Sequence, residues 1–215
     1  MSAQKTIDAA AVNDSFGVPA TAEELHQVAV ALNSNGFAVE VVDTAEDARR
    51  RVRSLLPVGS AVLAAASETL RLSGISDDID QSSATVSIRT RVHSMNRRAD
   101  ADAIRRLMTT PDIVIGSVSA VTHGGSLVAV SASGSQLPAY AGGAGHLILV
   151  VGAQKIVPDL PAAMRRIESY ALPLETERTK RVYGVPSVIS KILIINRDYL
   201  AARTTVILIK QAIGF

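Results

Sequence analysis

Short apolar runs alternate along the chain with segments that carry the signals of helix starts and stops. The segment TAEE at 21–24 is a capping box, because the Thr21 hydroxyl can accept the amide of Glu24 while the Glu24 carboxylate reaches back to the Thr21 amide. Apolar residues follow at helical spacing, and Asn35-Gly36 supplies a left-handed stop. The next run, 37–42, is typical of a strand. This alternation predicts crossover connections and therefore a mostly parallel sheet.

The same logic continues to the carboxyl end. Thr44 caps a second predicted helix, which Pro57 and Gly59 end. The further predicted strands are 61–65, 84–88, 112–115, 126–131, 146–151, 191–195 and 204–210, and the further predicted helices are a short one from 67–69, one near 100–108, one opened by Pro158 and Pro161, and one over 174–183. The run HLILVV at 146–151 is typical of a central strand buried on both faces. Strands 112–115 and 126–131 are close enough in sequence for an antiparallel hairpin or a local switch in strand order.

The composition fits one domain whose core is aliphatic. Apolar residues make up 47% of the 215 residues but aromatic residues only 3%, so Ala, Val, Ile and Leu must fill the core. The length is sufficient to bury one continuous core. No internal repeat or composition break marks a second domain. We predict an N-terminal extension over 1–20 and a single domain over 21–215.

Several classes of protein are disfavoured by what the sequence does not contain. There is no cysteine, which excludes disulfides, a thiolate nucleophile and an iron–sulfur cluster held by this chain itself. The first 20 residues contain no signal-peptide core, and no run of about 18 apolar residues occurs. We therefore expect a cytoplasmic protein without a membrane span. The formal charge of +2 is weak evidence for nucleic acid, and the basic run at 49–53 reads as a solvated helix face.

Cofactor and metal motifs are also lacking. The four histidines show no ligand spacing, so no metal is expected. Neither a dinucleotide fingerprint nor a phosphate-loop lysine motif occurs, nor does a nucleophile elbow. The glycines at 142–145 precede a strand instead of joining a strand to a helix. We therefore expect no cofactor.

One stretch carries a family resemblance. The span from about Asp112 to Ile167 contains IGSVSAVTHGGSLVAVSASGSQLPAYAGG and then HLILVVGAQKIVPDLPAAMRRI. With the upstream AAASETLRLSGISDDID and the tail from Tyr183 to Lys210, it resembles the LUD (lactate utilisation) domain family, whose members are similar to lactate-utilisation protein C. The resemblance implies a three-layer α/β/α sandwich with a mostly parallel sheet, similar to the NagB/RpiA/CoA-transferase-like superfamily. Relatives with that fold bind sugar phosphates, CoA thioesters or folate-like acids.

The chain departs from the family pattern at three points. His123 stands where many members have an acidic residue or a threonine, and Gln154 stands where an asparagine precedes the lysine. The chain also lacks the C-terminal cysteine cluster of one branch. The resemblance therefore implies a role beside redox partners, not a redox centre of its own.

Three segments could converge on the carboxyl edge of the predicted sheet, where loops and helix N-termini favour anions. Glu68 and His123 are the candidate catalytic residues, as base, acid or nucleophile. The candidate anion-binding residues are Ser67, Thr69, Ser117, Ser119, Thr122, Gly124, Gly125, Gly152, Gln154 and Lys155. Each segment has a simpler interpretation: a helix cap at 67–69, a plain turn over 117–125 and an ordinary surface lysine at 155.

The leading functional hypothesis is an accessory subunit of lactate or related organic-acid oxidation that binds a small anionic ligand. Iron–sulfur oxidoreductase subunits would then be the partners that carry the electrons. One alternative is a free-standing enzyme on a CoA-linked or phosphorylated acid, in which Glu68 or His123 would act as acid or base and Lys155 would hold the anion. A ligand-binding module without catalysis is the other. No nucleic-acid or membrane partner is expected.

Overall fold

The structure, a computed structural model, describes residues 12–215. In that range the helices are α1 (Ala22–Ser34), α2 (Ala45–Ser54), α3 (Glu68–Leu72), α4 (Ile75–Gln81), α5 (Ile88–His93), α6 (Ala101–Thr109), α7 (Leu160–Arg166) and α8 (Leu172–Tyr183). The strands are β1 (Ala38–Val42), β2 (Ala61–Ala64), β3 (Val86–Ser87), β4 (Ile113–Gly116), β5 (Ala120–Thr122), β6 (Leu127–Ser131), β7 (His146–Gly152), β8 (Ile156–Val157), β9 (Lys191–Ile195) and β10 (Thr204–Ile209). The capping box predicted at Thr21 is present. Thr44 caps α2 as predicted and also forms a capping box, with Asp47.

Six strands form the main sheet in the order β1-β10-β7-β4-β2-β3, and every neighbouring pair is parallel. The predicted central position of the run 146–151 is confirmed, because β7 lies between β10 and β4. All of β7 after His146 is buried. Since both neighbours occupy the hydrogen-bonding edges of β7, its side chains can only point into the layers above and below the sheet.

Alternate residues of β7 belong to two different cores. Leu147 and Leu149 pack in one cluster with Leu25, Val28 and other residues of α1. The intervening residues of β7, Ile148 and Val150, pack in the other cluster. Its helical members come from α2, α3 and α4 and are Ala48, Val52, Leu70, Ile75 and Ile79. Successive side chains of a strand point to opposite faces, so helices cover both faces of the sheet. The expected three-layer α/β/α sandwich is confirmed.

A second sheet, in the order β8-β5-β6-β9, packs beside the first. The strand predicted at 126–131 is antiparallel to β5 and β9, whereas β4 stays in the main sheet. A hairpin between 112–115 and 126–131 is therefore wrong. The chain leaves the main sheet after β4, so the change is one of sheet and not only of strand order. Ala120, Val128, Val157, Ala163 and Ile167 form a third core between this sheet and the segment that begins with α7.

Some boundaries differ from the predictions for local reasons. The strand expected at 84–88 is reduced to β3, because Ser87 caps α5 by accepting the amide of Thr90 at 3.1 Å. The segment between the predicted strands 126–131 and 146–151, for which no element was predicted, contains a π-helical turn, Ala139–Gly143. Residues 12–20 pack on the domain, and the amide of Ala20 donates to the carbonyl of Ala153. The predicted extension over 1–20 stays a prediction, and its residues 1–11 lie outside the described part of the chain.

Candidate functional site

The carboxyl ends of β2, β4 and β7 open onto one cleft of about 1140 Å³. Ser67 and Glu68 follow β2, Ser117 and Ser119 follow β4, and Lys155 follows β7; all five line the cleft. Parallel strands end at the same edge of a sheet, which is where ligands bind in open α/β sheets. The structure thus brings three predicted parts of the site to one place: the segment that begins at Ser67, the start of the segment 117–125, and Lys155.

Lys155 forms the floor of this cleft. Its side chain is almost completely buried, with the residue 1% exposed. Nζ donates to Thr69 Oγ1 at 2.9 Å, Ser117 Oγ at 3.0 Å and the Val118 carbonyl at 3.1 Å. These three acceptors are all uncharged. Burial lowers the pKa of Lys155 well below its ordinary value, and the positive charge of Arg166 lowers it further.

Arg166 is a second buried cation beside Lys155. Its guanidinium is fully buried and donates to the carbonyls of Gln154, at 3.2 Å from Nε, and Ser119, from Nη1. The remaining nitrogen, Nη2, has no hydrogen-bond partner among residues 12–215. The guanidinium carbon lies 5.0 Å from the ring centroid of Tyr170. Burial lowers the pKa of Arg166 to about 10.

The backbone at the end of β4 is held by Tyr140. The hydroxyl of this buried side chain donates to the Ser117 carbonyl at 3.4 Å. A Cβ on Gly116 would lie 1.5 Å from Tyr140 Oη, so the approach requires a glycine at that position. Burial also raises the pKa of the Tyr140 phenol. Ser117 therefore sits on a strand end whose position is fixed by packing.

Glu68 lies on the cleft wall in an ion-pair network. Its carboxylate accepts from Arg71 at 2.7 Å and lies 3.8 Å from Arg178, which pairs with Glu175. Hydrogen bonds from Arg71, and then the charges of Arg71 and Arg178, lower the pKa of Glu68. The pairing reduces the basicity of the carboxylate, on which its predicted role as a base would depend. Ser67 beside it caps α3 by accepting the amide of Leu70.

The turn that contains Thr122, His123, Gly124 and Gly125 lies outside the cleft. Thr122 Oγ1 accepts the amide of Ser126 at 3.0 Å, and the amide of His123 donates to the Val157 carbonyl at 2.9 Å. Asn35, at the end of α1, donates to the Gly124 carbonyl at 2.9 Å. β5 belongs to the second sheet, which carries its carboxyl end away from the main-sheet edge. The structure does not bring these four residues together with Lys155.

Gly152 and Gln154 contact the segment 213–215 instead of the open cleft. Gln154 Nε2 donates to the carbonyls of Ile213 at 2.9 Å and Gly214 at 2.8 Å, and its Oε1 accepts the Ile213 amide at 3.2 Å. A Cβ on Gly152 would lie 2.9 Å from the Ile213 nitrogen. These contacts hold the segment at the sheet edge, where Phe215 lines the cleft.

Sequence reasoning missed Arg166, Tyr140 and Arg178. A signal for Arg166 exists, because it lies four and three positions after the buried Ala162 and Ala163 of α7 and so shares their helix face. Tyr140 lies between the predicted strands 126–131 and 146–151, where no element was predicted. Arg178 carries no sequence signal that separates it from the other arginines of the chain.

Residues 12–215 bring no three His, Asp or Glu side chains together in an arrangement suited to a metal ion. None of their helices combines the length and apolarity needed to cross a membrane.

Comparison with known proteins identifies one family through its family model. A solved structure similar to this chain is that of a DUF162 family protein from Deinococcus radiodurans, with 12% identity and a TM-score of 0.48 over 89% of this chain and 99% of that one. No curated protein matches. The family model described as the LUD domain matches residues 25–209. Because this match spans most of the 215 residues, the chain belongs to the LUD domain family and is a lactate-utilisation-related domain protein.

Proposed function

We infer that the protein binds a small organic anion in the Lys155 cleft and acts in the utilisation of lactate or a related organic acid. The observation that carries this function is the pair of buried cations, Lys155 and Arg166, neither of which has a carboxylate partner among residues 12–215. Burying an uncompensated cation is costly, and a bound anion offsets that cost.

The hydroxyl groups at the cleft floor suit a carboxylate ligand. When Ser117 Oγ accepts from the Lys155 ammonium, its own proton is available to a ligand in the cleft, because its alternative acceptor, the Val118 carbonyl, is 3.4 Å away. Ser67 and Ser119 add further polar groups to the lining. A carboxylate in this position gains hydrogen bonds from the hydroxyl groups and attraction from the two buried cations.

The family context and the composition together favour an accessory role in organic-acid oxidation. The sequence has no cysteine, and oxidation of a hydroxy acid such as lactate releases two electrons that must pass to a redox group. We infer that iron–sulfur oxidoreductase subunits supply that group and that the protein works with them in the cytoplasm.

Binding is tested by measuring the melting temperature of the purified protein with L-lactate, pyruvate and other short carboxylates. A ligand that binds the native state raises the melting temperature. Lys155→Met keeps the apolar length of the side chain and removes the charge, so the affinity should fall about 10- to 100-fold, the loss expected for one charge-assisted hydrogen bond.

Lys210→Met is the matched control, because Lys210 is an exposed lysine that pairs with Asp43 away from the cleft. It should bind as the unmodified protein does. Equal affinity in Lys155→Met, or no stabilisation by any organic acid of this series, contradicts the proposed anion site.

The accessory role is tested in cells and by purification. Deletion of the gene should impair growth on lactate, and the tagged protein should co-purify with an iron–sulfur protein whose visible absorption reports the cluster. Growth and lactate oxidation at the unmodified rate in the deletion strain contradict this role while leaving ligand binding intact.

A further inference from the structure

Ser117 and Lys155 are placed as a nucleophile and its base. Ser117 Oγ lies 3.0 Å from Lys155 Nζ, and both residues line the cleft. We propose that the cleft transfers acyl groups, with Ser117 as nucleophile, Lys155 as general base, and an ester or thioester of a small organic acid as substrate. The proposal rests on the proposed function, because the acid that the reaction releases is the anion that the cleft binds.

Among the three groups that accept a hydrogen bond from Nζ, Ser117 is the one whose hydroxyl proton can be transferred to the amine. The Thr69 hydroxyl donates to the Ile213 carbonyl at 3.2 Å, and the Val118 carbonyl has no proton. The competing acceptor of the Ser117 proton is that same carbonyl, at 3.4 Å. Hydrogen-bond strength falls with distance, so the shorter contact makes Lys155 the natural acceptor of this proton when its amine is neutral.

The surroundings of Lys155 favour the neutral form of its amine. The side chain is buried, its three partners are uncharged, and the nearby charged group is another cation, Arg166. Both burial and Arg166 lower the pKa of Lys155. A lysine desolvated beside a second cation can accept a proton near neutral pH, as a general base must.

The cleft offers space for the acyl group and its leaving group. Its volume of about 1140 Å³ is slightly above the roughly 300–1,000 Å³ of pockets that hold drug-sized ligands, and a three-carbon acid fills only a small part of it. Apolar side chains such as Ile88, Val92 and Val118 line it beside Ser117. The hydroxyl of Ser67 belongs to the same lining and can donate to the oxygen that becomes negative during attack. The Tyr140 proton is held by the Ser117 carbonyl.

The reaction balances without any redox partner. Ser117 Oγ bonds to the acyl carbon while its proton passes to Lys155 Nζ. The carbon–sulfur or carbon–oxygen bond to the leaving group then breaks, and the leaving thiolate or alkoxide takes that proton from Lys155. Water attacks the acyl-serine, its proton passes through Lys155 to Ser117 Oγ, and the free acid is released as a carboxylate.

Acylation is tested with p-nitrophenyl acetate and with the S-acetyl thioester of N-acetylcysteamine. The expected result is release of nitrophenol or thiol above the buffer rate, with one acetyl group on Ser117 in peptide mass spectra. Ser117→Ala should abolish the label. Lys155→Met should slow its formation roughly 100-fold, the contribution of a general base.

Ser133→Ala is the control, since Ser133 is an exposed serine of the same cleft that hydrogen-bonds within its own loop. It should acylate normally. Labelling by a serine-directed fluorophosphonate provides a second readout. If Ser117→Ala is inactive because it lacks the nucleophile, Ser117→Cys should restore acyl transfer, now to the thiol.

Absence of any acyl adduct and of turnover with both probes overturns the proposal, as does a label that persists in Ser117→Ala. The outcome remains distinct from that of the proposed function. If organic acids still stabilise the protein through Lys155 while no acyl transfer occurs, anion binding stands and the nucleophile assignment fails.

Discussion

Lys155 Nζ lies 2.9 Å from Thr69 Oγ1, although 86 positions separate the two residues in the sequence. The contact joins the end of β7 to helix α3. The same hydroxyl donates to the carbonyl of Ile213 at 3.2 Å, so one threonine connects three segments at the floor of the cleft. Thr69 is fully buried, and each of its hydrogen bonds is therefore shielded from water.

Thr69→Val should destabilise the protein, because valine has nearly the same shape but leaves Lys155 Nζ and the Ile213 carbonyl each without one partner. Each group keeps another partner, so the cost is that of two lost hydrogen bonds, roughly 1–3 kcal/mol in total. Urea unfolding should show a decrease of that size in the free energy of unfolding. Thr69→Ser keeps the hydroxyl and should lose less. A Thr69→Val protein as stable as the unmodified one would show that neither hydrogen bond contributes.

Gly116→Ala should destabilise the protein through Tyr140. The new Cβ would lie 1.5 Å from Tyr140 Oη, so the buried ring or the end of β4 must move. Overpacking of this kind costs about 1–3 kcal/mol, and thermal unfolding measures it. Gly124→Ala is the control, because its Cβ would meet only Thr122 Oγ1 at 3.9 Å. Equal melting temperatures for the two variants would contradict the tight packing of Tyr140 against β4.

Asp78 should stabilise the fold in a pH-dependent way. Its carboxylate accepts from Arg49 at 2.7 and 2.6 Å and from Arg53 at 2.7 and 2.7 Å, and these bonds, with that of Arg49 strongest, lower the pKa of Asp78 far below its ordinary value of 3.8. A carboxyl group whose pKa is lower in the folded state contributes its full stability above its unfolded pKa. That contribution is lost as the pH falls through the folded value.

Asp78→Asn should therefore cost roughly 1–2 kcal/mol at neutral pH, as expected for a partly buried carboxylate with two guanidinium partners. The difference in unfolding free energy from the unmodified protein should shrink as the pH falls below about 4, the unfolded pKa of an aspartate. Asp102→Asn, which breaks an exposed pair with Arg105, should change stability little. A deficit in Asp78→Asn that is constant between pH 7 and 3 would contradict the linkage.

The features predicted correctly from the sequence are those with local causes. The caps at Thr21 and Thr44 depend on residues three positions away, and the burial of β7 follows from an unbroken apolar run. Strand β5 escaped prediction because it has three residues and its stability comes from pairing with β6 and β8. Short strands of this kind have no periodicity to detect.

The residues of the site could likewise be predicted only where a local signal places them. Ser67, Ser117 and Lys155 follow neighbouring parallel strands, so the common edge of those strands places them together. His123 follows a strand of the second sheet, and the sequence contains no signal for that change of sheet. Arg166 was missed because an arginine reads as a solvated residue unless its place on a buried helix face is considered.

Gln154→Ala should loosen the segment 213–215 at the edge of the cleft. The glutamine makes three hydrogen bonds to Ile213 and Gly214, and Thr69 adds one to Ile213. Loss of the three should raise the rate of amide hydrogen exchange over 211–215, because local opening of this segment becomes easier. The global free energy of unfolding should change little. Gln136 also lines the cleft, but its side chain hydrogen-bonds to Ser131 and to the Val130 carbonyl instead of to the segment 213–215. Gln136→Ala should therefore leave exchange over 211–215 unchanged. Unaltered protection over 211–215 in Gln154→Ala would mean that apolar contacts of Ile213, and not these hydrogen bonds, hold the segment.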